Sequence, residues 1–185
     1  MTYHSAFCDD KSAEICCGIP LLPIKTSDKS GAAPVITDPK EKDVIDEAIE
    51  LYRAQILFKN FRVKGPADKV NVFLTSFIQK ILQELQRHEK NKTKQLDVVK
   101  QIIALPIESQ QADYFMNKLG LFTKPTNPSE TAKMQKYLQV CKQETWNRLN
   151  ELLYNEKTGP MDCKYWLMLG KKPFLGHKFV ERTFT

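Results

Sequence analysis

Apolar residues recur at helical spacing over several segments of the chain. The most regular segment runs from Val70 to Leu85, where an apolar side chain returns every three or four residues. This spacing places the apolar side chains on one face of a helix. Gly65-Pro66-Ala67-Asp68 precedes the segment and favours a helix start, because proline fits the first helical turn. We expect this helix to supply much of the core through the following residues: Val70, Phe73, Leu74, Phe77, Ile78, Ile81, Leu82 and Leu85.

Two further helices have a start signal made of a side-chain cap, a proline and a carboxylate three residues after the cap. The signals are Asp38-Pro39-Lys40-Glu41 and Asn127-Pro128-Ser129-Glu130. They predict helices over about 38–60 and 127–154. The first helix has a second apolar row at Val44, Leu51 and Phe58. It is therefore either the central helix of the domain or a helix with one row against a partner.

The rest of the chain predicts shorter elements. We expect helices over 93–104 and 161–169, and a pinned irregular segment over 105–127 with apolar anchors. Prolines at positions 20, 23 and 34 break regular structure near the N-terminus. Strand signals are nearly absent, so the predicted fold is all-α. It is one compact domain of five to six helices, with an extended arm (1–37), a helical body (38–175) and a C-terminal extension (176–185).

Composition argues against catalysis. The chain has 185 residues, 42% hydrophobic and 27% charged, which is typical of a single soluble globular domain. It has no glycine-rich phosphate loop, no H-E-x-x-H and no G-x-S-x-G. His4, Cys8, Cys16 and Cys17 resemble a zinc set only in residue type, because no C-x₂₋₄-C pair exists. We expect no enzyme activity and no catalytic, cofactor-binding or metal-binding residues.

Charge and cysteine content indicate the setting of the protein. The formal net charge of +6 suits an acidic partner. Five cysteines without an export signal indicate reduced thiols inside the cell, and no apolar run is long enough to span a membrane.

Aromatic residues and lysines alternate between Lys164 and Phe174. Such a segment suits single-stranded nucleic acid, a membrane surface or helix-binding groove, or an acidic protein. It equally suits aromatics that close the core while the lysines face water. Trp146 is either an interface residue or a residue packed on the flank of its own helix.

The order and spacing of many short segments resemble subunit 3 of the actin-related protein 2/3 complex, which nucleates branched actin filaments. The resemblance runs from Tyr3 to Leu175. It departs from the family at Tyr165, where two consecutive tryptophans are usual, and at Trp146, where glycine is usual. The matching segments include Tyr3-His4-Ser5, Pro20-Leu21-Leu22-Pro23-Ile24, Val44-Ile45-Asp46-Glu47-Ala48-Ile49, Phe58-Lys59-Asn60-Phe61, Tyr137-Leu138-Gln139 and Lys164-Tyr165-Trp166.

The resemblance implies a non-catalytic structural subunit that binds mainly the actin-related protein 3 subunit and supports filament nucleation. The other partners would be the remaining subunits and, indirectly, the actin filament, with no nucleic acid and no membrane. The location would be the cytoplasm and its actin cytoskeleton. The alternative from the residues alone is a basic nucleic-acid-binding helical module. The expected partner contacts are Tyr3, His4, Trp166, Lys171, Lys172 and Phe174.

Overall fold

The fold was obtained as a computed structural model, and the structure describes residues 3–9, 12–28, 30–58, 61–89, 92–154 and 160–175. The predicted extension at 176–185 lies outside the described residues. A 3₁₀ turn at Ala6–Asp9 opens the arm. The later elements are β1 (Ile15–Cys16), β2 (Ile19–Pro20), α1 (Val44–Gln55), α2 (Pro66–Arg87), α3 (Lys92–Ala104), α4 (Phe115–Lys118), α5 (Pro128–Leu153) and α6 (Pro160–Gly170).

Helix α2 forms the centre of the fold. It contacts α1, α3, α5, α6 and β2. Because neighbours surround it, α2 buries polar side chains as well as its apolar row, among them Thr75 and Gln79. Thr75 Oγ1 donates to Gln55 Oε1 of α1 at 2.6 Å, and Gln79 Nε2 donates to the Lys172 carbonyl after α6. The two apolar rows of α1 had left open that α1 is the central helix of the domain. In the structure the central helix is α2.

Helix α1 begins at Val44, so the predicted start near Asp38 is wrong. Asp43 is the N-cap: its carboxylate accepts from the amides of Ile45 and Asp46 at 3.1 and 3.0 Å, and the Asp46 side chain accepts from the Asp43 amide. Asp38 instead closes a turn and accepts from the Lys40 amide at 2.9 Å. The other predicted helices α2, α3, α5 and α6 are confirmed, with ends within one or two residues of those expected.

A two-stranded antiparallel sheet corrects the all-α prediction to a mostly helical fold. Ile15 pairs with Pro20 and Cys16 with Ile19. The turn between them has positive φ at Cys17 (50°) and Gly18 (78°), as tight hairpin turns require. Strands of two residues are too short to show an alternating apolar pattern, which is why the sequence did not reveal them.

The segment between α3 and α5 is pinned to the body as predicted, and it includes the short helix α4. Met116 and Leu121 are buried. The Phe115 ring stacks on Phe73 of α2 with the centroids 6.3 Å apart. The Thr123 amide donates to the Cys17 carbonyl at 2.9 Å, so this segment also holds the hairpin turn.

Candidate partner-binding surface

The beginning of the arm is bound to the helical body by the carboxylates of Asp68 and Glu47. The Ser5 and Lys64 amides both donate to Asp68 at 2.8 Å, and His4 Nδ1 lies 2.8 Å from Asp68 Oδ2. Ser5 Oγ donates to Glu47 at 2.6 Å. Burial alone would raise the pKa of Asp68, but these donors outweigh burial and lower it. Asp68 therefore acts as an ionised anchor for the arm.

Tyr3 and His4 differ in their surroundings. The Tyr3 ring stacks on Phe58 with the centroids 6.4 Å apart, and its side chain is exposed. The His4 ring lies between the Asp68 carboxylate and the Phe61 ring, 5.5 Å from the Phe61 centroid. Tyr3 therefore presents surface, while His4 mainly holds the arm.

Arg148 of α5 joins a second part of the arm to α1. Its guanidinium donates to both Asp43 carboxylate oxygens at 2.6 and 2.8 Å, to Asp46 Oδ1 at 2.8 Å and to the Lys25 carbonyl at 2.8 Å. The Lys25 amide also donates to Asp43 at 2.8 Å. Burial alone would raise the pKa of the fully buried Asp43 carboxyl. Hydrogen bonds and the Arg148 charge outweigh burial, so the pKa is lowered. Arm, α1 and α5 thus meet around the Arg148 guanidinium and its two carboxylates.

Helix α6 and the residues that follow it place four predicted contact residues in two different environments. Trp166 is 3% exposed and stacks on Tyr52 of α1, with ring centroids 5.5 Å apart and planes 14° apart. Phe174 is 2% exposed, whereas Lys171 and Lys172 are exposed. Trp166 and Phe174 close the core, and the two lysines are exposed cations.

The close approach of α6 to α2 depends on Gly170. A Cβ added at Gly170 would lie 2.9 Å from Leu82 Cβ and 3.1 Å from the Leu82 carbonyl carbon. The 2.9 Å contact is shorter than real Cβ atoms show, and the neighbouring contact is with backbone, so a side chain at this position would push the helices apart. The glycine thereby allows the Trp166 side of α6 to pack against the body.

Three exposed apolar residues were not among the predicted contacts: Tyr165, Met168 and Leu57. Tyr165 and Met168 lie on the outer side of α6, and Leu57 follows the end of α1. The Arg53 guanidinium carbon lies 4.8 Å from the Tyr165 ring centroid and 5.2 Å from that of Trp166. The spacing of Tyr165 and Met168, three residues apart on a helix, was the available signal.

Comparison with known proteins gives the family. The family model described as P21-Arc, the ARP2/3 complex ARPC3 (21 kDa) subunit, matches residues 1–179. The chain belongs to this family. Three curated relatives are named actin-related protein 2/3 complex subunit 3. The Arabidopsis thaliana relative is 35% identical over 95% of this chain and 97% of its own length. The Dictyostelium discoideum relative is 33% identical over 95% and 98%, and the Schizosaccharomyces pombe relative 32% over 94% and 96%.

In this member of the subunit 3 family, two thiols of the arm have a raised pKa, which disfavours the thiolate form. Burial, with a smaller contribution from the Asp68 charge, raises the pKa of Cys8 to about 11. Burial and the Glu14 charge raise the pKa of Cys16 to about 11. Thiolates, rather than thiols, bind metals and attack substrates. Across the described ranges, no group of three or more His, Cys, Asp or Glu residues is placed to hold a metal ion.

The described part of the chain contains no helix that combines the length and apolarity needed to cross a bilayer. The aromatic and cationic segment also offers little for nucleic acid. Stacking on bases requires exposed ring faces. Among the aromatic residues of the described segment 164–174, Tyr165 is exposed while Trp166 and Phe174 are buried.

Asp68→Asn is expected to loosen the start of the arm in this subunit 3 protein. The substitution removes the charge that holds the Ser5 and Lys64 amides and His4, so we expect a loss of about 1–3 kcal/mol of unfolding free energy. Hydrogen–deuterium exchange should become faster at residues 3–9 and stay unchanged in α5. Asp97→Asn, at an exposed aspartate of α3, is the matched control. Unchanged exchange at residues 3–9 would show that Asp68 does not anchor the arm.

Proposed function

We propose that the protein is a non-catalytic structural subunit of the actin-related protein 2/3 complex. It binds mainly the actin-related protein 3 subunit and supports nucleation of branched actin filaments, in the cytoplasm and at the actin cytoskeleton. The observation that carries this proposal is the family match over residues 1–179. Relatives with this subunit name in a plant, an amoeba and a yeast align over nearly their whole lengths.

The structure suits a subunit that acts as a rigid connector between other proteins. Hydrogen bonds and ion pairs join the arm to α1, α2 and α5, so distant segments form one body. Glu130 of α5, for example, accepts from the Cys17 amide of the hairpin turn at 2.6 Å. A body that keeps its shape loses little conformational entropy when it docks on a partner. Its net charge of +6 favours association with acidic surfaces.

The predicted contact residues fall into two roles under this proposal. Tyr3, Lys171 and Lys172 are exposed and contact the actin-related protein 3 subunit directly. The other three support binding indirectly, because they hold α6 and the arm in position: Trp166, Phe174 and His4.

Purification of the tagged full-length chain from its own cells tests the proposal. We expect it to bring down both actin-related proteins and the other subunits in equal amounts. Chemical cross-linking of that complex should link Lys171 and Lys172 to the actin-related protein 3 subunit. Recovery of the chain without actin-related proteins would overturn membership in the complex. Cross-links to a different subunit would overturn the assignment of the main partner.

A further inference from the structure

An exposed apolar strip runs across the junction of α1 and α6. We call it the α1–α6 ridge and define it as Arg53, Leu57, Tyr165 and Met168. Leu57 and Met168 are 62% and 63% exposed, and Tyr165 is 48% exposed. These are three of the seven large apolar side chains that are exposed among the described residues. The remaining four are Tyr3, which precedes the 3₁₀ turn, and Ile15, Leu96 and Leu152 on β1, α3 and α5.

Arg53 links the two parts of the ridge. Leu57 follows Arg53 by four residues, just past the end of α1, where the Leu57 amide donates to the Ala54 carbonyl at 3.3 Å. The Arg53 guanidinium lies over the Tyr165 ring, which bridges α1 to α6. Met168 lies one turn further along α6 from Tyr165.

Cations surround the apolar part of the ridge. Lys164 precedes Met168 by four residues on α6, and Lys171 and Lys172 follow it by three and four. The turn after α6 keeps this spacing, because the amides of Lys171 and Lys172 donate to the carbonyls of Met168 and Leu169. All three lysines are exposed.

The described carboxylate nearest to Arg53 along α1 is already occupied. Glu50 precedes Arg53 by three residues and forms an ion pair with Lys42 at 2.7 Å. Glu50 is therefore engaged with Lys42, and the Arg53 guanidinium lies over the Tyr165 and Trp166 rings.

We propose that the α1–α6 ridge is the docking surface for an acidic protein partner, whose own apolar side chain packs between Leu57, Tyr165 and Met168 while its carboxylates meet Arg53 and the lysines. This inference rests on the proposed function, since the partner is then a neighbouring subunit of the complex. Aromatic, methionine and arginine residues are enriched at such interfaces. Complementary charge around the apolar centre gives the docking its specificity.

The test replaces the apolar centre of the ridge in the tagged full-length chain. Leu57→Asp combined with Met168→Asp introduces two negative charges that repel an acidic partner. Docking would also have to bury these two carboxylates. We expect the amount of co-purified actin-related protein to fall by about ten-fold or more, as when the centre of an interface is lost. Ile15→Asp combined with Leu96→Asp changes exposed apolar residues on β1 and α3 and should leave capture as in the wild type.

A second pair of variants tests the charge and needs no change of apolar surface. Lys171→Glu with Lys172→Glu should reduce capture several-fold, whereas Lys124→Glu with Lys136→Glu changes net charge equally and should not. Thermal unfolding by circular dichroism should give the same midpoint for the two ridge variants and their two controls. Every side chain substituted in these four double variants is at least partly exposed.

The outcomes separate the two claims. Wild-type levels of capture by both ridge variants, with capture by the unmodified chain intact, would overturn the ridge and leave the proposed function standing. Failure of the unmodified chain to capture any actin-related protein would overturn the proposed function and the ridge with it. A third result would also overturn the ridge as a protein-docking surface. In that result, the ridge variants bind RNA or anionic vesicles less well than the unmodified chain but capture as much protein.

Discussion

Arg148→Ala is expected to lower the free energy of unfolding by about 3–5 kcal/mol, because it leaves the carboxylate of Asp43 buried without its counter-ion. Asp43 is fully buried, and the guanidinium holds both of its oxygens. The same substitution removes the donor to the Lys25 carbonyl of the arm. The loss therefore affects α1, α5 and the arm together.

Urea unfolding of the two purified chains measures this effect. Lys42→Ala is the matched control, because Lys42 forms an exposed ion pair with Glu50, and exposed pairs contribute at most about 1 kcal/mol. Arg148→Met combined with Asp43→Asn should recover part of the loss, since no unpaired charge then stays buried at position 43. A loss below about 1 kcal/mol for Arg148→Ala would show that the ion pair does not hold the three segments together.

The start of α1 shows what sequence could not supply. Asp38 and Asp43 are both followed by a carboxylate three residues later, so both have the local features of a cap. The structure selects Asp43, which Arg148 contacts from 105 residues away in the chain. Local patterns cannot contain that information. In contrast, α2 was predicted well because its apolar periodicity is continuous and its start is marked by proline.

The contact residues stay a prediction, and the structure adds which of them are exposed. The aromatics and lysines between Lys164 and Phe174 divide between the core and the surface. Which side of α6 faces the body is set by its tight packing on α2 at Gly170, and a short helix with apolar residues on most sides does not reveal this from sequence. Trp166 therefore came to the inside, and Tyr165 and Met168 to the outside.

The environment of Trp166 leads to the second large effect. Trp166→Ala is expected to lower the free energy of unfolding by about 3–5 kcal/mol, because a buried indole is replaced by a cavity between α6 and α1. It also removes the stack on Tyr52 and the Arg53 contact. Tyr165→Ala, at the adjacent exposed ring, should cost about 0.5–1 kcal/mol through loss of its cation–π contact with Arg53.

Measuring stability and capture on the same two variants separates a core role from a contact role. If Trp166 acts by holding α6 in position, Trp166→Ala should reduce both the free energy of unfolding and the amount of captured actin-related protein. Tyr165→Ala should reduce capture with little change in stability. A Trp166→Ala chain that unfolds at the wild-type urea concentration but captures no actin-related protein would instead make Trp166 a direct contact. That result would require α6 to turn its buried face outward in the complex.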